Sequence, residues 1–177
     1  AGLKYYVMCA GGALFMLPGL LMLGEGFMPT PVVQTAFVLC LLGFGVKAGL
    51  VPLHSWLPDA HPAAPSSVSA PLSGIITKMG IFGIVAVLLM RPMVSTLPGL
   101  FGLSWLGTGL VFTGAATLVL GEVMALRQDD IKRMLAYSTL GQLGEIALVL
   151  GIGTWLSTTG ALWHMFNHAI MKDLLFL

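Results

Sequence analysis

Six ionisable residues stand inside long apolar runs of this chain: Lys47, Lys78, Glu145, His164, His168 and Lys172. A lysine at the centre of a lipid-facing helix costs roughly 2.5–3.5 kcal/mol, so each must face protein, water or a counter-charge. The types share a property. Histidine titrates near neutrality, a desolvated lysine is brought down toward that range, and a buried carboxyl either pairs with a cation or stays protonated. Groups of this kind, each responding to its neighbour's charge, can pass protons in sequence as a coupled titration. The competing reading for each is a counter-ion that holds helices together. Buried polar groups contribute on average only about 0.6 kcal/mol each to helix association, which makes six of them expensive glue.

Spacing sharpens the pattern. His164, His168 and Lys172 follow one another at intervals of four, so they drift slowly around one helical face over roughly 12 Å of rise, and Asp173 sits beside them on a neighbouring face. Lys78 lies eleven residues after Ser67, roughly 16 Å into the layer and too deep to snorkel. Lys47 is surrounded by Gly43, Gly45, Gly49 and Pro52. That composition predicts a broken helix, whose freed carbonyls or amides turn toward a buried ion.

The elements that must position these groups are membrane helices. The chain has 177 residues, of which 57% are apolar and 8% charged, with a mean hydropathy of +0.96. Such a composition excludes a soluble domain. Apolar runs predict an all-α polytopic bundle over residues 1–177, with spans near 5–23, 33–53, 67–90, 101–124, 133–152 and 159–177. Ser66 or Ser67 is the expected N-cap of the third span, and Arg91 with Pro92 is expected to close it.

The turn HSWLPDAHPAAPSS carries His54, Asp59 and His61. Its prolines favour a rigid turn with wetted polar groups over a metal site, with Trp56 at the membrane interface. Arg127, Asp129, Asp130, Lys132 and Arg133 mark a solvated connection. Counting basic residues beside the spans places Lys4, the 54–66 turn and this cluster on one side, the cytoplasmic one.

Other chemistries have no support. Cys9 and Cys40 lie in apolar runs without metal or disulfide spacing. No HExxH, CxxCH, nucleotide loop or nucleophile elbow occurs, so no catalytic residue, metal or cofactor is expected. With a net charge of +1 and no basic patch, nucleic acid is not an expected partner. The chain opens AGLKYY and ends within an apolar run, as an internal piece of a longer polypeptide would.

Four stretches, GFGVKAGLVPLHSWLPDAHPAAPSSVSA, ITKMGIFG, DDIKRMLAYSTLGQLG and HMFNHAIMKDLLFL, resemble the antiporter-like membrane subunits of respiratory complex I. Relatives of those subunits occur in membrane-bound hydrogenases, formate hydrogenlyase and multi-subunit sodium/proton antiporters. The resemblance implies two inverted repeats with a broken helix each, in a bundle of about fourteen helices, of which this chain would be the sixth to eleventh. It implies that Lys47 is the broken-helix lysine that carries the proton and that Lys78 passes charge onward. His164, His168 and Lys172 would lie on the helix connecting to a second half-channel. The glutamate partner of Lys47 would precede Ala1, and the second broken helix would follow Leu177. Glu145 and Asp173 depart from the family pattern, where an aromatic or apolar residue and a small residue are usual.

The implied function is proton translocation by a non-redox subunit of a redox-driven complex in a bacterial or archaeal cytoplasmic membrane. Its partners would be the other membrane and peripheral redox subunits and the lipid bilayer. The alternatives are a sodium/proton antiporter module, or a structural subunit with a vestigial polar axis.

Overall fold

The computed structural model describes residues 1–24, 29–90 and 103–177. Every long element in them is helical: α1 Gly2–Gly24, α2 Thr30–Ala48, α3 Leu57–Ala63, α4 Ser66–Pro71, α5 Thr77–Met90, α6 Trp105–Ala125, α7 Ile131–Ile152 and α8 Trp155–Phe176. A single π-turn, Leu72–Ile76, joins α4 to α5. Pro71 has no N–H for the helical ladder, and the helix widens directly after it.

Five segments are long and apolar enough to cross a membrane: Gly2–Gly24, Pro31–Ala48, Ser66–Val87, Trp105–Ala125 and Ile131–Ile152. The chain is an integral membrane helix bundle. The run read as a sixth span is helical, as α8, but it is not among these five, because His164, Asn167, His168, Lys172 and Asp173 dilute its apolar character. Leu3, Leu14, Phe82, Phe112 and Leu174 point outward, as side chains facing lipid do.

Three expected boundaries move for identifiable reasons. The second span stops at Ala48 and not at 53, because Gly49 takes the left-handed conformation at φ 73°. Its N–H bonds the Val46 carbonyl and that of Leu50 bonds the Gly45 carbonyl, which is a Schellman closure. The sixth begins at Trp155 and not at 159, since Thr154 and Ser157 form a reciprocal capping box. Pro65, not a serine, occupies the N-cap position of α4, and Ser66 is already helical. The expected Arg91–Pro92 terminator and the first residues of the fourth span lie outside the described residues.

Packing follows the small residues. Gly107, Gly114 and Gly121 of α6 meet Gly141, Gly144 and Gly151 of α7, the close backbone approach that drives helix association in lipid. A Cβ at Gly114 would come 2.5 Å from the Leu148 backbone nitrogen. The largest core joins Ala48 and Leu50, Ile81 and Ile84, Leu110, and Leu143 and Ile146. It holds the helix break of α2 against α5, α6 and α7.

Candidate functional site: a buried polar thread between α5, α7 and α8

The π-turn creates the first part of the site. Lys78 is 6% exposed, and its ammonium donates back to the Ser73 carbonyl, which also accepts from Thr77 Oγ1 at 2.8 Å. Ser73 and Thr139 hydroxyls meet at 3.0 Å. Thr139 Oγ1 donates its single proton to the Leu135 carbonyl at 2.8 Å, so Ser73 is the donor between them. The same Leu135 carbonyl accepts from Lys172 Nζ at 3.2 Å, and Lys172 is 1% exposed. Hydroxyls and carbonyls thus connect two buried ammonium groups on α5 and α8 through one face of α7.

The histidines continue it along α8. His164 Nε2 lies 2.9 Å from Gln142 Oε1, so this nitrogen is the protonated one, assigned from its partner. The His164 and His168 rings are nearly parallel, at 10°, with centroids 6.3 Å apart. His168 is 2% exposed and neither ring nitrogen bonds another residue. Lys78 and Lys172 both act on it electrostatically. Glu122, which rests against Gly141, is the carboxylate that acts on Lys172.

Helical geometry explains which residues of α7 take part. At about 100° per residue, Leu135, Thr139 and Gln142 share one face, and Gly141, Gly144 and Gly151 lie nearly opposite. Glu145 falls between the two faces. It is half-buried, and among the described residues no hydrogen bond or ion pair reaches it. Its expected place in the relay gains no contact here.

Lys47 stands in the last turn of α2, where free carbonyls and the helix dipole favour a cation. The break beside it is held by other groups. Trp56 Nε1 donates to the Val46 carbonyl at 2.7 Å, and the Val51 N–H donates to Thr117 Oγ1 at 2.9 Å. Gly49 and Pro52 follow the end of α2 at Ala48, Val51–Pro52 being a cis peptide. Gly43 instead packs on Met16 of α1, and Gly45 contributes a carbonyl to the closure. Lys47 itself is half-buried, its charge reaches Cys9 on α1, and no described residue hydrogen-bonds it.

The 51–65 connection departs from the expected wet turn. Trp56 is 1% exposed and leans on Tyr5, with ring centroids 5.2 Å apart. His61 is 0% exposed, stacks on Phe176 with centroids 4.6 Å apart, and has both ring nitrogens unbonded. Burial first, then the charges of Lys172, Lys78 and Lys132, push its pKa down to about 4. His54 is also lowered, chiefly by burial. Among the described residues no group of His, Cys, Asp and Glu is placed to hold a metal. Asp59 is not part of the buried cluster. It pairs with Lys4 at 2.6 Å and Arg133 at 3.7 Å, which puts the basic residues of α1 and α7 at one end of the bundle, as the charge pattern predicts.

Ser73, Thr139 and Gln142 were not among the expected site residues, and His61 was expected in a wet turn. For Ser73 the available signal was Pro71 followed by Ser73 and Gly74 in a membrane helix, a pattern that marks a distorted ladder.

The chain is similar to the following proteins over all or nearly all of its length. Hydrogenase-4 component B of Escherichia coli is 37% identical over 200 residues, covering 100% of this chain and 29% of that protein. A chain of the archaeal membrane-bound sulfane sulfur reductase, a respiratory membrane complex, superposes with a TM-score of 0.88 at 33% identity, covering 98% of this chain and 32% of the other. A chain of the Mrp complex from Dietzia sp. gives a TM-score of 0.83 at 25% identity, covering 98% and 33%. This chain therefore spans about a third of the length of the proteins it matches. The family model described as NADH:quinone oxidoreductase/Mrp antiporter, transmembrane, matches residues 1–177, and the chain belongs to that family as an antiporter-like membrane subunit segment.

Proposed function

We propose that this chain forms the proton-carrying part of an antiporter-like subunit in a redox-driven membrane complex. The observation that supports this most directly is the hydrogen-bonded thread from Lys78 through Ser73 and Thr139 to the carbonyl that also binds Lys172. Protons move between titratable groups, here Lys78, His168, His164 and Lys172, with Lys47 as the entry cation at the helix break. Backbone carbonyls do not carry protons; they hold each ammonium so that its charge faces the next group. Redox chemistry belongs to other subunits of the complex, and this chain binds no redox cofactor. The complex lies in a bacterial or archaeal cytoplasmic membrane, with the charged end at Asp59 toward the cytoplasm.

Proton uptake into vesicles bearing the intact complex tests the reading, with electron transfer recorded on the same samples. Lys78→Met in an assembled complex lowers uptake at least tenfold. Unchanged pumping and turnover in that variant would leave Lys78 a structural cation and end the relay argument. The likeness to the Mrp chain favours a second reading, a sodium/proton antiporter module. Uptake that requires sodium and proceeds without electron transfer decides for it.

A further inference from the structure

Asp173 is the one acidic residue on the α8 face that meets the π-turn, and its environment is specific. Its carboxylate lies directly over Gly74, where a Cβ would overlap it. Oδ1 is buried without a hydrogen-bond partner. Lys78 directs its ammonium to the carbonyl of Ser73, the residue before Gly74. An anion and a cation are thus seated on adjacent residues of one helical distortion, from two different helices. They do not touch, since the only ion pairs within 4.0 Å among the described residues are those of Asp59.

The other charged and titratable groups around them do not compete for the anion's role. Lys172 precedes Asp173 but is turned to Leu135, and His61 and His168 are buried with unbonded nitrogens. Glu122 acts on Lys172, whereas Asp173 is the carboxylate that acts on Lys78. A buried ammonium without a counter-charge is strongly unfavourable, and so is a buried carboxylate without a cation.

We propose that Asp173 is the counter-charge of Lys78, seated by Gly74, and that it holds the charge of the α5 lysine across the gap between α8 and the π-turn. This rests on the proton-carrying reading above and adds to it a positioning residue. The absence of a side chain at Gly74 is what lets the carboxylate reach its seat. The pair also separates the two lysines of the thread, giving each its own carboxylate.

The test uses the full-length chain in its native complex and two independent readouts. Lys78→Met and Asp173→Asn each leave one buried charge alone, so each lowers the melting temperature and the assembled yield of the complex. Lys78→Met/Asp173→Asn removes both charges and melts above either single variant. A double variant whose loss equals the sum of the singles, or that assembles no better than they do, overturns the pairing. Gly74→Ala, which displaces the carboxylate, reproduces the loss seen in Asp173→Asn and adds little to it; full additivity of those two also overturns the proposal.

Proton uptake separates this from the relay itself. Asp173→Asn lowers uptake at least tenfold and Asp173→Glu restores most of it. If the stability cycle is non-additive while Lys78→Met pumps normally, the pair stands and the relay reading fails. If Lys78→Met abolishes pumping and the cycle is additive, the relay stands and the counter-charge fails.

Discussion

A histidine buried in contact with a phenyl ring and facing three lysines is held neutral, and His61 is such a residue. Its pKa falls from the ordinary histidine value of 6.5 to about 4 in the folded chain. Between those values the unfolded state binds a proton that the folded state refuses, so stability rises with pH across that window. It is fully present above the unfolded value and declines as pH falls toward 4, by on the order of 3 kcal/mol. Thermal melting of the solubilised complex between pH 6.5 and 4 shows this slope, and His61→Phe flattens it. At this scale the lysines and histidines were legible, because a charge in an apolar run is conspicuous. Ser73 and Thr139 were not, since either hydroxyl could equally have bonded its own helix four residues back, as Thr139 also does. His61 was misread because prolines signal a turn but do not report that a neighbouring helix end, here Phe176, covers it.

Helix breaks and seams decide how those residues meet. The glycines around Lys47 were read together as one break, but only Gly49 needs its backbone freedom there, at φ 73°. Gly49→Ala places a Cβ in a conformation that L residues adopt at a cost of roughly 1–2 kcal/mol. The melting midpoint of the complex falls accordingly, and the Val46 carbonyl loses the geometry that Trp56 and the Schellman closure share. Gly45→Ala meets open space and leaves the midpoint nearly unchanged, which separates the two glycines in one experiment. The helices themselves were legible from length and apolarity. Their ends were less so, because a capping box or a left-handed glycine can move an end by several residues without altering the hydropathy profile. The π-turn was invisible to periodicity, for it adds one residue to a ladder whose composition does not change.

The whole bundle has a charged end and an apolar body. Asp59 gathers Lys4 and Arg133, and Lys132 donates to the Ala64 carbonyl at 3.0 Å, so the α2–α4 connection and the start of α7 share one side. In a variant lacking Cys9 and Cys40, cysteines at Ser67 and Asp129 are modified by an impermeant thiol reagent from the same face of the membrane. A cysteine at Thr154 is modified from the opposite face; labelling of all three from one side would refute this arrangement. The family was readable because four long motifs occur in order, whereas the lateral connections depend on which face each helix turns inward. The glycine seam between α6 and α7 has a consequence of its own. Backbones in direct contact leave no cavity large enough for a file of water, and this sealed strip lies on the side of α7 nearly opposite Thr139 and Gln142. Under the relay proposed above, α7 presents polar groups on one flank and close-packed backbone at Gly144 and Gly151 on the other, so charge leaving Lys78 passes toward α8 and not across that part of the α6 contact.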